Sequence, residues 1–154
     1  MKTLTIKLAI DANVYVSAAN ASEPQPAVSL RFLQEVRSQA VTVFCPTLIL
    51  PECSAAISRP TGSVALAAAL VTQIQQWPGL QLIPLSLALA QRAAVITGAQ
   101  RLKGADAVYV ALTEAHADTL ITWDKELLQR GPAVVPTETP ADWLQANVPP
   151  PSLP

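Results

Sequence analysis

Asp106 and Asp124 bracket the stretch richest in usable chemistry, Leu102 to Asp124, which reads LKGADAVYVALTEAHADTLITWD. Its apolar spacing predicts an amphipathic helix with Asp106 in the first turn, then a short strand, Thr119-Leu-Ile-Thr122, ending almost at once in Asp124. Upstream, the run LTIKLAI leads straight into Asp11. Glu52 lies between Leu48-Ile-Leu-Pro51 and Cys-Ser-Ala-Ala-Ile, poor surroundings for a solvated charge. Each acid has a local explanation: an Asx-type turn for Asp11, helix caps for Asp106 and Asp124, a solvated helix face for Glu52. Together they raise a different problem. Carboxylates gathered at low dielectric repel one another and are driven to protonate, and a divalent cation removes that penalty. Mg²⁺ takes oxygen ligands, typically a few carboxylates with waters and a substrate phosphate. The chemistry that follows is metal-assisted hydrolysis of a phosphodiester.

The elements that must position these acids can be read in order. Residues 4–10 form a strand, 11–19 a short helix, and Glu23-Pro-Gln-Pro26 closes a loop. Helical spacing covers 27–39, and Val41–Cys45 is a β-branched strand. Thr47 is the expected N-cap of a helix to about Arg59, broken by Pro60-Thr-Gly62. Ser63 then caps a helix over 64–76, Leu80–Ile83 is a third strand, and Ser86 caps a helix to about Gln100. After Asp124 come a short helix to Arg130, a last strand over Ala133–Val135 and a helix around Asp142–Ala146. Strands alternating with helices predict parallel crossovers with right-handed connections, whose functional crevice lies outside the carboxyl ends of the strands. One domain is expected over residues 1–146, followed by a Pro-rich tail over 147–154.

Composition narrows the function classes. At 154 residues, 51% hydrophobic and only 5% aromatic, the chain can bury a core built mostly of Ala, Leu, Val and Ile. A net charge of −1 argues against a protein that coats nucleic acid by bulk electrostatics, without excluding a local basic rim around an active site. No apolar run reaches the roughly 18 residues a membrane span needs, and MKTLTIKLAID reads as a strand instead of a secretory signal. Cys45 and Cys53 lack metal-site spacing and read as buried, reduced thiols, which fits a cytoplasmic location. The single histidine, His116, makes a zinc site a poor prospect; near a helix C-terminus it suits the macrodipole.

Asp11-Ala-Asn13 after the first strand, Glu52 on the helix after the second, Gly-Ala-Asp106-Ala before Val-Tyr-Val-Ala-Leu, and Thr-Trp-Asp124 after Leu-Ile together resemble the PIN domain. The likeness runs from Lys7 to about Val135 and is greatest to the small single-domain toxins of bacterial toxin–antitoxin pairs. It implies a three-layer α/β/α sandwich with a central, mainly parallel sheet, and a ribonuclease dependent on Mg²⁺ or Mn²⁺. It further implies that Asp11, Asp106 and Asp124 are metal ligands and that Glu52 ligates directly or through water. Asn13 and Thr122 match polar positions that would orient the carboxylates. Lys103, Lys125 and Arg130 are the candidate phosphate contacts. The expected partners are an RNA substrate and a cognate antitoxin, with the helices at 27–39 and 64–76 as a homodimer face. Trp123 departs from the pattern by its size and is expected to pack in the core. Two rivals are weaker. A haloacid-type phosphatase would need an acid where Asn13 stands and a Lys at a late strand end, and the chain has neither. A PIN-like module that only binds RNA or protein would carry the same residues without turning over.

Overall fold

The computed structural model describes residues 5–153. Five strands form one all-parallel sheet in the order β3-β2-β1-β4-β5. They are β1 (Lys7–Ile10), β2 (Thr42–Pro46), β3 (Leu80–Ile83), β4 (Thr119–Ile121) and β5 (Thr137–Glu138). The part of the expected first strand before residue 5 lies outside the described residues. Among the described residues, eight α-helices connect or follow the strands: α1 (Ala12–Ala19), α2 (Pro26–Ser38), α3 (Ile49–Thr61), α4 (Val64–Gln75), α5 (Leu87–Gln100), α6 (Gly104–His116), α7 (Lys125–Arg130) and α8 (Pro140–Asn147).

Side-chain alternation along the strands divides the core into two layers. Leu8, Ile10, Val43, Cys45 and Ile121 point to one face and pack against α1, α2, α3, α4 and α8. Ala9, Phe44 and Leu120 point to the other and pack against α5, α6 and α7. The result is the three-layer α/β/α sandwich that the resemblance implied, built on the parallel crossovers that strand–helix alternation predicted. Buried strands on both faces explain why these runs read as almost wholly apolar. The expected caps hold at Ser63 and Ser86, whose hydroxyls accept from the Leu66 and Leu89 N–H groups.

Three local expectations need correction. Thr47 does not cap the helix; α3 begins two residues later with Leu48 at the cap position and no side-chain cap bond. Pro60 does not break α3 either. It sits in the last turn, and the helix ends at Gly62, whose positive φ of 66° places its N–H on the Ser58 carbonyl at 2.7 Å. Most informatively, Ala133–Val135 is no strand. Gly131–Ala133 forms a 3₁₀ turn, the N–H groups of Val134 and Val135 both bond the Gly131 carbonyl, and Val135 is buried. Pairing with β4 falls instead to Thr137–Glu138.

Candidate active site

Strand order reverses beside β1: the chain leaves it for β2 on one side and returns on the other at β4. In an open parallel sheet this switch point is where a crevice opens beyond the carboxyl ends. Asp11 follows β1 directly, Thr122 and Asp124 follow β4, and α3 and α6 bring Glu52 and Asp106 over the same edge. A cavity of about 310 Å³ there is lined by Asp11, Glu52, Asp106 and Asp124, with small residues such as Ala12 and Ala56 between them. Among the described residues, no basic side chain is on its wall. A larger hollow of about 690 Å³ lies among α1, α2, α3 and α4, but its lining has no carboxylate, so the acid chemistry belongs to the smaller one.

Asp11 is only 5% exposed. It occupies the N-cap position of α1 without a side-chain capping bond, so local folding does not account for its carboxylate. Its Oδ2 accepts instead from the Thr122 hydroxyl at 2.8 Å. Thr122 Oγ1 in turn accepts from Asn13 Nδ2 at 3.2 Å and from the Asp124 N–H at 2.9 Å. Asn13 Oδ1 accepts from the Trp123 N–H at 3.2 Å. The end of β4 and the first turn of α1 are thus held together around one buried hydroxyl, which donates to Asp11 and accepts from Asn13. Asp124 has two duties. Oδ1 caps α7 by accepting from Leu127 N–H at 2.9 Å, and the second oxygen remains for the cavity.

Asp106 stands in the first turn of α6, two residues inside its N-terminal residue, and is not the cap. Glu52, in the first turn of α3, accepts a 2.8 Å hydrogen bond from the Tyr109 hydroxyl. Electrostatics report the crowding. Burial pushes Asp11 up to about 7, with Asp106 and Glu52 adding to the rise and the Thr122 hydrogen bond opposing it. Asp106 is raised to about 6 by burial and by the charge of Asp124, against the pull of Lys103. Glu52 is raised by burial, with Tyr109 acting in the opposite direction. These are the shifts expected when like charges share a poorly solvated site.

Sequence reasoning missed Tyr109, which looked like one more apolar position of α6, and Glu23, which joins the cavity wall from the loop after α1. It also missed a chain of hydroxyls behind the site. The Trp123 indole donates to Ser29 Oγ at 2.8 Å, Ser29 to Ser17 Oγ at 2.8 Å, and Ser17 to the Pro24 carbonyl at 2.6 Å. Trp123 packs against the core as expected and also ties the end of β4 to α2 and to the loop that carries Glu23. The cations are less close. Lys103 and Lys125 are exposed and off the cavity wall. Arg130 donates to Glu126 and to the Arg101 carbonyl.

Five carboxylates line one cavity, Glu23 with Asp11, Glu52, Asp106 and Asp124; two of them, Asp11 and Asp106, are raised to about 7 and about 6, and this hard-oxygen donor set fits a divalent cation. Among the described residues no three Asp, Glu, His or Cys side chains stand in ligating positions around one point, so the acids would have to draw together to hold an ion.

Fold and site define a parallel α/β/α protein with an acidic crevice at its topological switch point. The PIN domain profile matches residues 8–131, and the chain belongs to that family. Solved structures agree on the fold. VapBC2 from Rickettsia felis, bound to a DNA fragment from its promoter, superposes with a TM-score of 0.66 at 14% identity, covering 87% of this chain and 98% of that one. VapC20 of Mycobacterium tuberculosis, a sarcin–ricin loop cleaving toxin, gives 0.65 at 15% identity over 79% and 93%. FitAcB from Neisseria gonorrhoeae gives 0.62 at 18% over 87% and 98%. No curated protein matches by sequence.

Proposed function

We propose that the protein is a metal-dependent endoribonuclease, the toxin of a toxin–antitoxin pair. The observation that carries this reading is the convergence of Asp11, Glu52, Asp106 and Asp124 on one cavity, where burial and mutual repulsion raise Asp11 to about 7 and Asp106 to about 6. Asp11, Asp106 and Asp124, with Glu52 directly or through water, would hold Mg²⁺ or Mn²⁺. The ion supplies an activated water and charge stabilisation at the phosphodiester. The chain's own contribution is orientation. Thr122 and Asn13 fix Asp11, the α7 cap fixes Asp124, and Tyr109 reaches Glu52.

Lys103 and Lys125, exposed beside Asp106 and Asp124 in sequence, are the cations placed to meet RNA phosphates. Arg130 would first have to leave its bond to Glu126. A cognate antitoxin would silence the site by bringing positive charge to a cavity lined by Asp11, Glu23, Glu52, Asp106 and Asp124. A homodimer through α2 and α4 would use Leu30, Val64 and Leu66, apolar residues those helices leave exposed. Among the described residues no helix is long and apolar enough to cross a membrane, and the buried free thiols of Cys45 and Cys53 suit the cytoplasm. The rival reading, a PIN module that binds without cutting, draws on one observation: the acids are not gathered in ligating positions.

One assay separates them. Total RNA incubated with Mg²⁺ or Mn²⁺ should be cut, EDTA should abolish cutting, and Asp124→Asn should lose activity by orders of magnitude with the fold intact. Cutting in EDTA would overturn the metal mechanism. Full activity in Asp124→Asn would overturn the site.

A further inference from the structure

Tyr109 is fully buried on α6, in the core layer beneath one face of the sheet, yet its hydroxyl bonds a carboxylate carried by α3 on the other face. The 2.8 Å bond to Glu52 Oε1 therefore bridges the two helical layers past the carboxyl edge of the strands. Among the described residues it is the only hydrogen bond either side chain makes. Tyr109 lies three residues after Asp106, so both occupy neighbouring positions on one face of α6. Glu52 is a long carboxylate with several rotatable bonds, half-buried, in a first helical turn. A donor on a ring that burial immobilises selects one of its conformers.

We propose that Tyr109 is a positioning residue: it fixes the Glu52 carboxylate over the cavity and so sets its spacing from Asp106, carried by the same helix as Tyr109. This rests on the metal-dependent reading of the site. A buried tyrosine whose hydroxyl merely satisfied itself would stabilise the fold without influencing what the acids bind. A positioning tyrosine acts only through Glu52, and that difference can be measured.

The experiment measures Mn²⁺ binding to the full chain by the loss of the free-ion paramagnetic resonance signal, alongside RNA cleavage and thermal unfolding in EDTA. It compares wild type, Tyr109→Phe, Glu52→Gln and the double variant, with Asp106→Asn as control. Tyr109→Phe removes one oxygen and keeps the ring, and Mn²⁺ affinity should fall about tenfold or more, as for other partners that orient ligands. In the Glu52→Gln background the same change should alter affinity by less than twofold. Glu52→Asp, which keeps the charge but withdraws it from the hydroxyl, should also lose affinity, and retained affinity there counts against the proposal even should Tyr109→Phe fold poorly. Wild-type affinity in Tyr109→Phe or in Glu52→Asp would overturn the proposal, as would an equal loss in both backgrounds, which is the mark of a purely structural residue. Wild type that binds no Mn²⁺, or Asp106→Asn that binds as well as wild type, overturns the metal reading and this inference with it.

Discussion

Burying Asp11 should make the metal-free protein less stable as pH rises, and replacing it with Asn should reverse the effect. The carboxyl is raised from 3.8 to about 7 in the folded state, chiefly by burial. A raised acid pKa means the folded protein holds a proton that the unfolded chain has released, so stability falls as pH climbs through the interval. The penalty is absent below pH 3.8 and complete above about 7. At about 1.4 kcal/mol per tenfold change in proton affinity, its upper bound is about 4 kcal/mol. Asp106, raised to about 6, and Glu52 push the same way, and part of the rise of Asp11 is their doing. Asp11→Asn keeps an oxygen to accept the Thr122 hydroxyl and removes the charge. In EDTA at pH 8 it should be more stable than wild type by about 2–4 kcal/mol, roughly 5–15 °C in melting temperature for a domain of this size. At pH 4 the two should melt together. Calorimetry or urea unfolding at half-unit pH steps measures the difference directly, and the exposed Arg92–Glu114 pair cancels because both proteins carry it. Mn²⁺ should then stabilise wild type and leave Asp11→Asn almost unmoved. Equal stability of the two proteins at pH 8, or an advantage of Asp11→Asn that shrinks between pH 4 and 8, would refute the reasoning.

Other changes test the supports. Thr122→Val strips Asp11 of its donor and leaves two N–H donors without their acceptor, and should cost about 1–3 kcal/mol in urea unfolding while lowering RNA cleavage about 10–100-fold. Trp123→Phe keeps a ring in the core but removes the donor to Ser29; a loss of about 1–2 kcal/mol is expected, and Ser29→Ala should add little on top of it. Gly131→Ala would place a Cβ 2.6 Å from Thr137 Oγ1, which is already bonded to the Val135 carbonyl, and should destabilise by about 1–3 kcal/mol, read as a lower melting temperature.

The three inner strands, β1, β2 and β4, were legible because cover on both faces leaves a mostly apolar signal, and Asp11 and Asp124 were visible as the points where two such runs stop. Hydroxyl caps such as Ser63 and Ser86 were legible because they act within three residues. What failed was not local. Ala133-Val-Val looks like a strand by β-propensity, yet Gly131 and Pro132 impose a turn and Val135 is consumed by the core, leaving the pairing to Thr137 and Glu138. Ser17 and Ser29 are twelve residues apart, and nothing in either position announces that they share a buried hydrogen bond. Tyr109 was hidden by its own amphipathic character: its ring satisfies the helix pattern while its hydroxyl reaches Glu52, 57 residues away. Asp124 was an ambiguous choice between cap and site; in the structure it caps α7 and also lines the cavity.

The end of β4 shows why site and fold cannot be separated here. Thr122 gathers Asp11, Asn13 and the Asp124 N–H around one oxygen. Trp123, the next residue, anchors the strand end to α2 through Ser29, and its backbone N–H holds Asn13. Asp124 then faces the cavity while starting α7. Crowding carboxylates into a cavity without cations opposes folding, so the scaffold must hold them against their own repulsion. A rigid hydroxyl-and-amide network does this because each donor favours the ionised form of its acid while fixing its place. Loosening the network should therefore relax the acids outward and weaken ion binding before the fold itself is lost, whereas neutralising one acid should strengthen the fold and remove the ion. Opposite signs in stability with the same sign in metal affinity distinguish a residue that supports the charge from one that carries it.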